Sequence, residues 1–126
     1  MGLDHAHVAE VILAHEIGHR VQELLGTSVP PPPFGGMTPE TKRREELDAD
    51  AFAGAYIDWL AGNGQLSLGM IRAGELSRKY SGDDYSNTPR NSLSTHGTSH
   101  ERMAAFMTGV QLGLPDDFCR TGIAVR

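Results

Sequence analysis

Apolar residues recur along the chain at intervals of three and four, which is the spacing of one face of a helix. The first such stretch begins after Asp4, a favourable N-cap residue, and predicts a helix over residues 4–25. The second follows the pair Thr38-Pro39, in which a cap residue precedes a proline suited to the first helical position. This second stretch predicts a helix over residues 38–61.

Two shorter stretches with the same spacing predict helices over residues 67–80 and 101–112, the last with Ser99 as its cap. The intervening segments 26–37 and 81–99 are rich in glycine, proline and small polar residues, which favours loops. No stretch shows the alternation of apolar and polar residues that is typical of a strand. The predicted fold class is therefore mainly α.

Composition narrows the range of functions. The length of 126 residues and the hydrophobic content of 39% predict a single domain over residues 1–126 with one core. The net charge of −5 argues against a nucleic-acid partner, because phosphate-binding surfaces carry an excess of Lys and Arg. A single cysteine excludes a cysteine-rich zinc site, so a metal would need His and carboxylate ligands. The longest apolar-leaning stretch, 8–13, is too short to cross a bilayer, so we expect a soluble chain without a signal segment or membrane contact.

The first predicted helix carries the HExxH pattern, His15-Glu16-Ile17-Gly18-His19. Histidines four residues apart project from one helix face, so both imidazoles can reach one metal ion. Glu16 lies about 100° around the helix from His15, where its carboxylate can take a proton from metal-activated water. The plainer interpretation is an exposed helix with two solvated histidines.

Two carboxylates, Glu46 and Asp50, lie four residues apart on the second predicted helix, on a stripe otherwise destined for the core. Carboxylates in a core need a partner. A catalytic zinc site uses three protein ligands and leaves a fourth position to water, so Glu46 is predicted as the third ligand. Asp50 is predicted to accept the free imidazole N–H of one of the two histidines. The alternative is a solvated ion pair of Glu46 with Lys42 or Arg43.

A third group of polar residues follows the long predicted loop. His96 could donate a hydrogen bond to the oxyanion of a tetrahedral intermediate. Arg102 could clamp a carboxylate such as Asp50, or bind a substrate terminus, because its planar fork suits bidentate pairing. A loop histidine and a surface arginine are the plainer alternative.

These motifs, in this order, resemble the bacterial neutral zinc metallopeptidase family over about residues 8–119. The matching sequences are AHEIGH and VQ within 14–22, ELDADAFAG at 46–54, GDD at 82–84 and STHGTS with Arg102 within 94–102. The resemblance implies a gluzincin, which is a zincin-like helical core whose third zinc ligand would be Glu46. It also implies Zn²⁺ as the cofactor and a peptide or protein as the substrate.

Members of this family usually carry an N-terminal membrane segment and a region ahead of the metal-binding helix. In zincin folds, that region commonly includes the strand that aligns the substrate. Because the sequence shows neither before the first helix, we expect a truncated or minimal domain without the upstream sheet. Two functional hypotheses follow: a peptidase that uses metal-activated water with Glu16 as general base, or a non-catalytic zinc-binding or regulatory module. The fourth coordination position distinguishes them, and the oligomeric state is left open.

Overall fold

The computed structural model describes residues 5–28, 30, 35–62, 71–75, 78, 82 and 91–112, and this part of the chain is mainly α, as predicted, with no sheet. The long helices are α1 (His5–Leu24), α2 (Pro39–Gly62) and α3 (Ser99–Leu112), and residues 71–75 are also helical. Asp4, most of the predicted helix 67–80, and residues 81 and 83–90 of the predicted loop 81–99 lie outside the described residues. Within them, no helix is long and apolar enough to cross a bilayer.

The starts of α2 and α3 follow from side-chain caps. The hydroxyl of Thr38 accepts a hydrogen bond from the backbone N–H of Thr41 at 3.1 Å, as the cap prediction for α2 requires. At α3 the prediction of Ser99 as the cap was wrong by one residue. The Thr98 hydroxyl accepts from the Glu101 N–H at 3.1 Å, and the Glu101 carboxylate accepts from the Thr98 N–H at 3.0 Å. This reciprocal capping box begins the helix at Ser99 itself.

Helix α2 is central and packs against both α1 and α3. A side chain at Gly54 would overlap the backbone of α3, and one at Gly109 would overlap the backbone of α2, so these two helices touch through their main chains. The apolar core lies along α2 and joins all three long helices; it contains Val11, Ala14, Ala53, Ile57, Leu60 and Phe106.

Small residues also bring α1 close to α2 beside the HExxH pattern. A Cβ atom on Gly18 would lie 3.2 Å from the Cα atom of Ala49, closer than most real Cβ contacts. Gly18 stands between the two histidines of the pattern, and Ala49 stands between the two carboxylates of α2. The close helix contact therefore places the predicted ligands of both helices opposite one another.

Candidate metal centre

The three predicted ligands meet between α1 and α2. The Nε2 atoms of His15 and His19 are 3.0 Å apart, and Oε2 of Glu46 lies 3.1 Å from each of them. Ligand atoms bound tetrahedrally to zinc at 2.0–2.1 Å stand about 3.3 Å from one another. The spacing in this site therefore fits three ligands of one ion, and these residues form a group that could hold a metal.

The chemistry of these atoms also fits a cation. The Nδ1 atom of His15 lies 2.7 Å from Oδ1 of Asp50. A carboxylate only accepts hydrogen bonds, so this nitrogen carries a proton, and Nε2 is the ring atom that can offer a lone pair to a metal. Glu46 presents a carboxylate lone pair to the same point. Electron pairs that converge in this way are stabilised by a positive ion between them.

Glu46 is held ionised by its neighbours. Burial alone would raise the pKa of its carboxyl group, but its contacts with His15, His19 and Lys42 outweigh burial and lower that pKa. The ammonium group of Lys42 contacts Oε1, while Oε2 faces the two histidines. Glu46 is 4% exposed, so its pair with Lys42 is buried rather than solvated as the alternative interpretation held, and it leaves Oε2 available to a metal.

His19 is more exposed than His15 and contacts Glu46 on one side of its ring and Gln22 on the other. Burial lowers the pKa of its imidazole, but the contacts with Glu46 and the hydrogen bond with Gln22 outweigh burial and raise it. Gln22 bonds to Nδ1, on the far side of the ring from the site. His19 therefore has a partner on each of its two ring nitrogens.

Asp50 stands at the centre of a buried charge network and is 0% exposed. Besides its contact with His15, it accepts hydrogen bonds from Nε and Nη2 of Arg102 at 2.7 and 2.9 Å and from Nη1 of Arg78 at 2.9 Å. Burial raises the pKa of the Asp50 carboxyl group, but its bonds with His15 and Arg102 outweigh burial and lower it. The fork of Arg102 is thus directed at Asp50, the first of the two arrangements that the sequence allows.

The two predicted catalytic residues lie at the same place. Glu16 and His96 line a cleft of about 390 Å³ together with His15, His19 and Glu46. Glu16 is exposed, and His96 has 46% of its side chain exposed, with Nε2 3.8 Å from Oε1 of Glu46. The structure therefore brings all seven predicted site residues into one connected group.

Two further residues, which bond to members of this group, were not predicted from the sequence. Gln22 lies three residues after His19, and that helical spacing was the available signal for their contact. Arg78 has no such signal, because an arginine in a short predicted helix normally faces the solvent. Its pairing with Asp50 spans 28 residues and depends on the fold.

Comparison with known proteins agrees with this geometry. The profile of the family described as "Putative neutral zinc metallopeptidase" matches residues 1–121. The chain is also similar to the uncharacterized protein YpfJ of Escherichia coli K12 and of Escherichia coli O6:H1 (strain CFT073), each 31% identical over 125 residues. The matches cover 91% of this chain but 44% of each relative, so the chain spans less than half of their length. No solved structure matches the chain. Since the family profile covers nearly the whole sequence, the chain belongs to the neutral zinc metallopeptidase family.

Proposed function

We propose that this protein is a zinc-dependent peptidase of the gluzincin type, in which His15, His19 and Glu46 hold the metal. The observation that carries the proposal is the meeting of two imidazole nitrogens and one carboxylate oxygen within 3.1 Å of each other, in a cleft that Glu16 also lines. Two histidines and one glutamate are an established ligand set for catalytic zinc. The proposed substrate is a peptide or a protein.

When bound in a site of this kind, zinc polarises a substrate carbonyl and makes a water molecule more acidic. Glu16, one residue after His15 on α1, takes a proton from the attacking water and then passes it to the leaving amine. Its exposed carboxylate is accessible to a substrate in the cleft. His96, which lines the same cleft, donates a hydrogen bond to the oxyanion as the carbonyl becomes tetrahedral.

Asp50, Arg78 and Arg102 act through His15. Asp50 accepts a hydrogen bond from the Nδ1–H of His15 and so would keep Nε2 directed at a bound metal. The two guanidinium groups hold the Asp50 carboxylate in place from α3 and from residue 78. Arg102 is therefore a positioning residue rather than a group that contacts substrate.

A non-catalytic zinc module is the second candidate, and the position of His96 favours it. Its Nε2 lies 3.8 Å from Oε1 of Glu46 and the ring lines the same cleft as the three predicted ligands, so this imidazole is the candidate for a fourth protein ligand. A site closed by four protein ligands is typical of structural zinc. The cleft of about 390 Å³ beside the ligands supports the peptidase instead, because it leaves room for a substrate.

Hydrolysis of an unfolded protein such as reduced casein tests the proposed activity. We expect cleavage by the zinc-loaded chain, loss of cleavage after treatment with a chelator, and recovery when zinc is restored. Cleavage that persists after complete metal removal would contradict a zinc peptidase. A zinc-loaded chain that cleaves no peptide would favour the non-catalytic module.

A further inference from the structure

Gln22 joins the HExxH helix to the helix that carries the third predicted ligand. Its side chain is 8% exposed and bridges two groups. Oε1 lies 2.9 Å from Nδ1 of His19, and Nε2 donates to the backbone carbonyl of Glu45 at 2.9 Å. Glu45 immediately precedes Glu46, so this bridge ends beside the third ligand.

The Glu45 carbonyl determines which end of the Gln22 amide faces His19. A carbonyl oxygen only accepts hydrogen bonds, so the NH₂ end of the amide must be directed at it. The oxygen end then faces His19, and this oxygen can only accept. Nδ1 of His19 must therefore be the donor in the 2.9 Å contact.

A neutral imidazole carries one proton, so a proton on Nδ1 leaves a lone pair on Nε2. That lone pair faces Nε2 of His15 and Oε2 of Glu46, both within 3.1 Å. The opposite tautomer would place a proton on the atom that has to bind the metal. Asp50 holds the proton of His15 on Nδ1 through their hydrogen bond. The other hydrogen bonds of Asp50 in the described residues go to Arg78 and Arg102, so a different residue must orient His19.

We propose, on the basis of the zinc site proposed above, that Gln22 is a positioning residue that fixes the Nδ1–H tautomer and the ring orientation of His19. The two histidine ligands are then oriented by two separate devices: a buried carboxylate for His15 and a backbone-anchored amide for His19. The amide brings no charge to the site, so it orients His19 without adding a third carboxylate near Glu46. Gln22 also ties α1 to the turn of α2 that carries this glutamate.

The matched test compares Gln22→Met with Gln111→Met. Methionine has a similar length, but its sulfur is only a weak acceptor for the His19 N–H and it has no donor for the Glu45 carbonyl, so we expect zinc affinity to fall by about 10- to 100-fold. Gln111 is exposed near the end of α3, and its replacement is expected to leave zinc affinity unchanged. Gln22→Glu keeps an acceptor for His19 and should bind zinc more tightly than Gln22→Met does.

Imidazole ¹⁵N chemical shifts report the tautomer of His19. If Gln22 had a purely structural role, its replacement would leave that tautomer unchanged. In the metal-free wild type, at a pH where His19 is neutral, we expect its Nδ1 to be protonated and its Nε2 to be unprotonated. In Gln22→Met we expect a shift towards the Nε2–H tautomer. Zinc affinity is measured in parallel by competition with a chelating dye, and unfolding by urea shows whether each variant is folded.

The outcomes separate this proposal from the zinc site itself. Wild-type affinity in Gln22→Met, or an Nε2–H tautomer for His19 in the wild type, would overturn the role of Gln22 while leaving the metal site intact. Absence of zinc binding by the wild type would overturn the proposed function, and the tautomer in the metal-free protein would still decide the role of Gln22. The wild-type tautomer also decides the matter if Gln22→Met does not fold.

Discussion

Replacement of Glu16 with glutamine is expected to lower the rate of peptide hydrolysis by about 10²- to 10⁴-fold, the usual contribution of a general base. Glutamine has the shape of glutamate but cannot take a proton from water. Since Glu16 lies beside the three predicted ligands and is not one of them, the zinc content of the variant should equal that of the wild type. The measurement is kcat on a peptide substrate, together with elemental analysis of the same sample.

The matched control for this prediction is Glu10→Gln. Glu10 is also an exposed glutamate of α1, but it lines a separate apolar hollow with Leu13, Ile17 and Tyr56. We expect this control to retain the wild-type rate. A Glu16→Gln variant that keeps both its zinc and its full activity would show that another group takes the proton.

Replacement of Asp50 with asparagine is expected to lower the free energy of unfolding of the metal-free protein by about 3–5 kcal/mol. Asparagine preserves the shape of the side chain but removes the charge that Arg78 and Arg102 share at this buried position. Removing one member of a buried charge network leaves its partners with an uncompensated desolvation cost. Urea unfolding in the presence of a chelator measures the loss without a contribution from bound metal.

The wild type and Asp50→Asn should also differ in how their stability depends on pH. The pKa of Asp50 is lower in the folded protein than its ordinary value of 3.8. The ionised carboxylate therefore contributes fully to the free energy of unfolding above pH 3.8, and this contribution is lost as the pH falls through the pKa of the folded state. The Asp50→Asn variant should lack that part of the acid sensitivity. Asp58→Asn, an exposed change on the same helix, serves as the control and should resemble the wild type. An Asp50→Asn protein as stable as the wild type would contradict the role given to the network.

Much of this arrangement could be predicted from the sequence because it is local. Helical periodicity places His15 and His19 on one face, and the same spacing places Glu46 and Asp50 on one face of α2. The pair Thr38-Pro39 marks the start of α2. A chemical argument also predicted that the histidine pair of α1 faces the carboxylate pair of α2, because carboxylates on a core-facing stripe require partners.

The rest depends on contacts between residues that are distant in sequence. The bond between Gln22 and the Glu45 carbonyl spans 23 residues, and its direction follows only once α1 and α2 are in contact. Arg78 reaches Asp50 from a short helical segment whose position the pattern of apolar residues does not determine. The choice between Thr98 and Ser99 as the cap of α3 was local but ambiguous, and the reciprocal bond with Glu101 decides it.

The most direct test of the central claim is the zinc content of the protein purified without added metal, measured beside His15→Ala, Glu46→Gln and the control His100→Ala. His100 is exposed on α3, so its loss should not matter. We expect one zinc per chain in the wild type and the control, and none in the other two variants after circular dichroism shows that they are folded. A wild type without zinc, or variants of His15 and Glu46 that retain it, would contradict the three-ligand site.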